Sequence, residues 1–255
     1  MTQPDLTKLP TLLISDLHLQ DSRPDLTRAL MGFLDEYRGH CSRLFILGDL
    51  FEAWIGDDDP SALADEVAMA LADFAATGTK IALMHGNRDF LLGEAYAARC
   101  GARLMGEVEV ITSGSRHILL MHGDSLCTDD IGYQEFRSFV RQPAWQAEFL
   151  CQPLEARQAF AAQARAQSRE ATSSKANEIM DVNQATVLKA LVQHGVSDLL
   201  HGHTHRPAVH EFAFESLAGE GEHPATRTVL GDWETSAWIA HLYAGETSLI
   251  NYNFQ

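Results

Sequence analysis

Five short apolar runs, residues 12–15, 44–47, 81–84, 118–121 and 199–200, are each bounded by a glycine or by a helical pattern. Uninterrupted apolar runs of this length read as strands buried on both faces. Between the first two, Pro24 opens a stretch with Leu26, Leu30, Phe33, Leu34 and Tyr37 at helical spacing, and Gly39 closes it. Ser61 precedes a second such stretch, Leu63, Val67, Ala70, Leu71 and Phe74, with Gly78 as its stop. Strand, helix, strand, helix, strand predicts an α/β fold with helices packed on a sheet. Beyond His205 the pattern changes to strands at residues 208–215, 226–230, 236–243 and 248–254, with turns and no helix between them. That predicts a second, largely antiparallel sheet against the first, hence a two-sheet sandwich flanked by helices.

Residues 131–174 stand apart from this scheme. Tyr133, Phe136, Phe139 and Val140 have helical spacing, Pro143 and Pro153 look like first-turn prolines of two further helices, and Trp145 with Phe149 is an i, i+4 pair. The expectation is one domain, residues 1–255, carrying a helical insertion over approximately 131–175 that acts as a lid. From Arg137 to Lys175 there are six basic residues (Arg137, Arg141, Arg157, Arg165, Arg169, Lys175) and three acidic ones, so the segment is net +3. A basic, aromatic-rich insertion could hold an amphiphilic anion; equally, its aromatics could form a small core of their own.

Composition narrows the partners. Against 19 basic residues stand 35 acidic ones, a formal charge of −16, which argues against a protein that grips nucleic acid through its phosphates. Cys41, Cys100, Cys127 and Cys151 show no CxxC spacing and read as reduced thiols of a cytoplasmic protein. There is no signal-peptide pattern at the N-terminus and no run of 18 apolar residues, so neither standard export nor a membrane span is expected. No obligate protein partner is evident.

Each apolar run ends in residues with ligand chemistry: Asp16-Leu17-His18, Gly48-Asp49, Gly86-Asn87-Arg88-Asp89, His122-Gly123-Asp124 and Gly202-His203-Thr204-His205. Any one of these is more often a loop with a local hydrogen bond than a ligand set. Five together, all at strand ends, are a site, because loops at strand ends are where an α/β protein places its functional groups. Aspartate, asparagine and histidine without cysteine suit Mn²⁺, Fe²⁺, Zn²⁺ or Mg²⁺. Seven such donors are too many for one ion and right for two that share a carboxylate.

In order and spacing the five segments resemble the binuclear calcineurin-like metallophosphoesterases, whose pattern runs DxH, GD, GNH(D/E), H and GHxH. The one departure is Arg88, where most of that superfamily has histidine. The GNRD form, followed by Phe90-Leu91-Leu92-Gly93 and combined with the segment from Gly48 to Asp58, is similar to one branch, the UDP-2,3-diacylglucosamine pyrophosphatases of bacterial lipid A synthesis. The resemblance implies one metal held by Asp16, His18, Asp49 and His205, and a second by Asp49, Asn87, His122 and His203, with Mn²⁺ the expected ion. It also implies catalytic roles for Asn87, Arg88 and His203, and substrate contacts from Asn87, Arg88, Asp130, Ser168, Thr172, Lys175 and His203. The implied reaction turns a UDP-diacylglucosamine lipid into UMP and 2,3-diacylglucosamine 1-phosphate, by a protein in peripheral contact with the cytoplasmic face of the inner membrane.

The arginine has a chemical logic of its own. A departing alkoxide needs a proton, which histidine can give, whereas a departing phosphate monoester with a second pKa of about 6 does not. A permanent charge that grips phosphate oxygens is then the more useful group. The plainer alternative for Arg88 is a surface salt bridge to Asp89. Ser168, Thr172 and Lys175 are spaced i, i+4, i+7 and would share one helical stripe, with a solvated face as the alternative. Tyr133, Phe136 and Phe139 would suit acyl chains, and His85 and His201 are expected to pack beside the site. The competing functions are a phosphodiesterase or nuclease on the same binuclear scaffold, and a non-catalytic interaction module.

Overall fold

Strands β1 (Thr11–Ile14), β2 (Arg43–Leu47) and β3 (Lys80–Met84) form the parallel centre of one sheet, each followed by a segment that crosses back over its outer face. The structure, a computed structural model, describes residues 9–174, 181–215 and 221–254, with the side chains of 169–174 and 215 outside that description. Helices α1 (Pro24–Glu36), α2 (Ala62–Ala75) and α3 (Glu94–Arg99) follow the three strands in turn, and β4 (Ala102–Leu104) pairs parallel to β3. Pro24 takes the first turn of α1, and the Ser61 hydroxyl caps α2 by accepting from the Ala64 amide, as the sequence predicts.

The second sheet is built on β5 (Val108–Ser113), β6 (Arg116–Met121), β7 (Asp198–His201), β8 (Ala208–Glu215) and β9 (Glu222–Val229), in the order β5-β6-β7-β9-β8. β10 (Ser236–Tyr243) and β11 (Glu246–Asn253) do not join it: they extend the first sheet, which runs β11-β10-β1-β2-β3-β4. The expectation that the C-terminal strands form one antiparallel sheet is corrected here. The last four strands divide into two hairpins, one for each sheet. β10 lies antiparallel between β1 and β11 and is buried on both faces, Ala237 and Ile239 toward the helices and Ala240 and Leu242 toward the other sheet. Nothing local in β10 specifies which sheet edge it meets.

The same two-sided burial explains the unbroken apolar runs. Along β1 and β2, Leu12, Ile14, Leu44 and Ile46 face the helices, while Leu13, Phe45 and Leu47 face the second sheet. In β6, Ile118 and Leu120 face back toward the first sheet, and Leu119 and Met121 pack outward with Val187 and Leu191 of α7 (Gln184–His194). The layers are therefore helix, sheet, sheet, helix, with the inter-sheet core in the middle.

Between β6 and α7 lie α4 (Ile131–Val140), α5 (Pro143–Leu150) and α6 (Leu154–Ser174). Their aromatics pack on one another: Trp145 stacks on Phe149 at 4.8 Å, and Phe160 of α6 meets Phe149 at 5.2 Å. Phe139 turns to Trp145, at 5.8 Å, so α4 does not present its three aromatics as one face. The segment's positive charge is largely committed. Arg137 and Arg141 pair with Glu107 and Asp124, the nearly inaccessible Arg157 pairs with Asp58, and Arg165 pairs with Glu52. Each partner lies outside the three helices, so these pairs fasten the segment to the sandwich.

Leu120 has no solvent exposure and fills the inter-sheet core, whereas Met69 on α2 is 64% exposed. Leu120→Ala should lower unfolding stability by about 2–5 kcal/mol in a denaturant titration, and Met69→Ala should change it by no more than about 0.5 kcal/mol.

Candidate metal centre

The carboxyl ends of β1, β2 and β3 in one sheet and of β6 and β7 in the other open toward the same place, and the five polar segments follow those ends directly. The backbone there is unusual. Of six non-glycine residues with left-handed φ among the described residues, five are Asp16 (58°), His18 (50°), Asp49 (53°), His203 (67°) and His205 (55°). Side chains rarely tolerate this region without compensating interactions, and such strain gathers at functional sites. The turns also need their glycines. A Cβ on Gly86 would lie 2.0 Å from Asp49 Oδ1, and one on Gly202 would lie 2.2 Å from Asp16 Oδ2.

The seven predicted donors come together. His18 Nε2 is 3.2 Å from His205 Nε2, and Asp16 Oδ1 is 3.5 Å from that same His205 nitrogen. On the other side, Asn87 Oδ1 is 3.0 Å from His122 Nε2 and 2.8 Å from His203 Nδ1. Asp49 Oδ2 stands between the two groups, 3.8 Å from His18 Nε2 and 3.8 Å from His122 Nε2. Its other oxygen accepts from the Arg88 amide at 2.8 Å.

These contacts test the site for a cation. Asp16 Oδ1 is buried without a hydrogen-bond partner, although Oδ2 is satisfied by Ser15 Oγ and the His203 amide. Turning the Asn87 amide over would let its nitrogen donate to His203, His122 and Asp49. With the oxygen inward, the same atoms form a ring of lone pairs that a divalent ion satisfies together. Oxygen and imidazole donors of this kind fit a borderline or hard divalent ion.

The electrostatics agree. Burial pushes the Asp16 carboxyl up, yet His205, His122 and His18 together hold it well below the ordinary carboxylate range. Burial pushes Asp49 up and His18 down, and burial reinforced by His122 pushes His203 down to about 3. Neutral imidazoles are ready ligands. Two depart from this: His122, which burial pushes down but Asp49, Asp16 and Asp124 hold up, and His205. Burial pushes His205 down, but the carboxylates of Asp16 and Asp232 outweigh that and hold it up, at about 10.

Further residues support this cluster. Asp89, almost fully buried, accepts from the amides of Gly86, Asp49 and Leu50, stapling the β2 and β3 loops together. Its oxygens are engaged by backbone, so the Arg88–Asp89 surface salt bridge is replaced by a contact of Arg88 Nε with Asp49 Oδ2 at 4.0 Å. Glu52 Oε2 is 3.1 Å from His18 Nδ1, and Asp232 Oδ2 is 3.3 Å from His205 Nδ1. His122 Nδ1 meets the Leu47 carbonyl at 2.8 Å. Asp232 carried a readable signal: Gly231-Asp232 follows the β9 run just as Gly48-Asp49 follows β2. His85 and His201 bond backbone carbonyls, those of Leu92 and Gly202, and lie beside the cluster as packed residues.

Over the donors opens a cavity of about 690 Å³. Asn87, Arg88, Asp130, Ser168 and His203 all line it, with Phe90, Tyr133, Phe136 and Trp145 among its aromatic walls. Tyr133 is not a free apolar face, since its hydroxyl donates to buried Asp124 at 2.7 Å and its ring stacks on His203. Asp130 also caps α4, accepting from the Tyr133 amide. The Thr172 side chain and Lys175 lie outside the described residues.

Because a ligating imidazole must be deprotonated at the bonding nitrogen, ion binding should displace a proton from His205. Calorimetric titration with Mn²⁺ in buffers of different ionisation enthalpy should report proton release at neutral pH, with affinity rising as pH rises. His205→Gln should reduce that release.

Residues 9–207 match the family described as calcineurin-like phosphoesterase. A protein of Cellvibrio japonicus named UDP-2,3-diacylglucosamine hydrolase is 49% identical over 243 residues, 95% of this chain and 99% of that one. One of the same name from Chromohalobacter salexigens is 50% identical over 225 residues, covering 88% and 89% of the two chains. Another from Escherichia coli O7:K1 is 46% identical over 246 residues, covering 96% and 100%.

Proposed function

The chain belongs to the calcineurin-like phosphoesterases, and on that footing we propose that it hydrolyses the pyrophosphate bond of UDP-2,3-diacylglucosamine to UMP and 2,3-diacylglucosamine 1-phosphate. The observation that carries this reading is the donor cluster at the floor of a cavity that also holds Arg88 and an aromatic wall. Such a space suits a ligand with a diphosphate at one end and hydrocarbon at the other. The names of the three relatives, which align over nearly their whole lengths, support the substrate.

In this reading Asp16, His18, Asp49 and His205 hold one ion and Asp49, Asn87, His122 and His203 the other, Mn²⁺ in both. Ions so held supply Lewis acidity toward phosphoryl oxygens and a water acidic enough to ionise near neutral pH. The protein's own groups do the rest. Arg88, held near Asp49 on the cavity side, grips phosphate oxygens and orients the diphosphate for attack at the uridine-side phosphorus. Its guanidinium keeps its proton, as the weakly basic leaving phosphate allows. Asn87 and His203 flank the same phosphate, and Asp130 and Ser168 on the cavity wall take the sugar. Thr172 and Lys175 are proposed to continue that contact.

We read residues 1–255 as one metallophosphoesterase domain whose helices α4 to α6 form the lid over the cavity. Ile131, Phe139 and Leu150, all at least 39% exposed on α4 and α5, support a peripheral contact with the cytoplasmic face of the inner membrane. Among the described residues no helix is long and apolar enough to cross a membrane.

Hydrolysis of UDP-2,3-diacylglucosamine in ¹⁸O-labelled water with Mn²⁺ should place the label in UMP. Label in the sugar phosphate would move the attack to the other phosphorus. Faster turnover of a simple phosphodiester run in parallel would favour the phosphodiesterase alternative.

Phe136 lines the cavity on α4 and is proposed to meet an acyl chain. Shortening the chains should weaken binding by about 0.8 kcal/mol for each methylene that had been buried, and Phe136→Ala should flatten that dependence. Affinities measured across a chain-length series check both, and a parent enzyme indifferent to length would remove the acyl role.

A further inference from the structure

Glu52 lies in the loop after β2 and faces two elements at once. One oxygen, Oε2, is 3.1 Å from His18 Nδ1; the other, Oε1, accepts from Arg165 Nη2 on α6. At that distance His18 Nδ1, which is buried, nevertheless makes no hydrogen bond. Arg165 depends on this carboxylate. Its Nε and Nη1 are buried with no hydrogen-bond partner among the described residues, and its side chain is only 15% exposed.

We propose that Glu52 is a positioning residue that couples occupancy of the His18 side of the metal centre to the seating of α6 over the cavity. The proposal rests on reading the donor cluster as a metal centre. An imidazole that binds a cation through Nε2 carries its proton on Nδ1, which then has to donate. The acceptor in reach is Glu52. Once that bond holds the carboxylate in place, the pair with Arg165 forms without a further ordering cost. Because linkage is reciprocal, α6 seated through Arg165 also favours the ion on His18. The charge of Glu52 is needed for the sign: without it, a bound cation and a buried guanidinium repel each other across the gap. A glutamine has one acceptor and one donor end, so it cannot place an acceptor at both of the positions that face His18 and Arg165.

Asp232 provides the internal control. It stands to His205 as Glu52 stands to His18, and among the described residues it has no bond to α6. Both carboxylates support a ligand, and one of them also reaches α6.

The test is hydrogen–deuterium exchange of α6 backbone amides in the full chain, with and without saturating Mn²⁺, alongside the ion content of the same samples. In the parent, Mn²⁺ should slow exchange in α6 on the order of five- to tenfold. In Glu52→Gln the slowing should vanish or reverse, while in Asp232→Asn it should remain although Mn²⁺ binds more weakly. If Glu52→Gln does not fold, Arg165→Met cuts the same link from the α6 side and should abolish the response. A parent that binds no ions overturns the metal-centre reading and the coupling with it. A parent that binds ions while α6 exchange does not move, or a Glu52→Gln protein that keeps the full slowing, overturns the coupling alone.

Discussion

A single buried carboxylate oxygen, Oδ2 of Asp49, fixes what the rest of the molecule has to achieve. It is 3.8 Å from an imidazole that follows β1 of one sheet and 3.8 Å from an imidazole that follows β6 of the other. Only a sandwich whose two sheets point their strand ends to one place can make that juxtaposition. The inter-sheet core, with Leu13, Phe45, Leu47 and Leu120, holds the two ends together. The same requirement accounts for the left-handed backbone at five of the seven donors, because ordinary turns would aim those side chains elsewhere. Packing thus offsets local strain and a cluster of mutually facing lone pairs, and a bound cation would turn that cluster from a cost into a stabilising contact.

Fastening the helical segment is a second consequence of the same arrangement. Asp124 follows His122 by two residues, is buried, and accepts from Tyr133 and Arg137 of α4, so the loop that places a donor also anchors the first helix of that segment. At the far end, Arg157 donates to the Ile55 carbonyl and to Asp58 in the loop beyond Asp49. The arginines that give the segment its net positive charge serve mainly as ties, and its aromatics serve both as its own small core and as cavity wall. The two readings of its composition overlap: Trp145, Phe149 and Phe160 pack on one another and also line the cavity, as Phe136 does.

Much of the donor set was legible in the sequence for a physical reason. A strand buried on both faces leaves a continuous apolar run, and a ligand at its carboxyl end is the first polar residue after it. Asp49 and His122 announce themselves in this way, Asp16 does so one residue past Ser15, and Asp232 obeys the same rule after β9. Pairings were not legible. Arg157 and Asp58 are 99 residues apart and Arg165 and Glu52 are 113 apart, and charge composition alone cannot say which acid a given arginine will meet. Sheet membership of β10 failed for the same reason, since alternation predicts a strand and its buried faces but not its neighbour. Tyr133 shows a subtler limit: helical spacing placed it with the apolar residues, and only the fold reveals that its hydroxyl is spent on Asp124.

Charge makes the remaining argument. A chain of formal charge −16 that admits a diphosphate must reverse its own field locally, and the question is which groups do so. The described arginines of the helical segment have acidic partners within the structure, so their charge is already balanced where they stand. Asp16 and Asp49 add negative charge at the floor of the cavity. Among the described residues, cations bound by those same carboxylates would supply that reversal, together with Arg88, which lines the cavity beside Asp49. A histidine at that position would carry its charge only when protonated, in a place where burial drives neighbouring His203 down to about 3. Arginine keeps its charge under the same desolvation. The departure from the common motif is thus what an acidic protein needs if its phosphate contact is to stay positive beside a buried carboxylate.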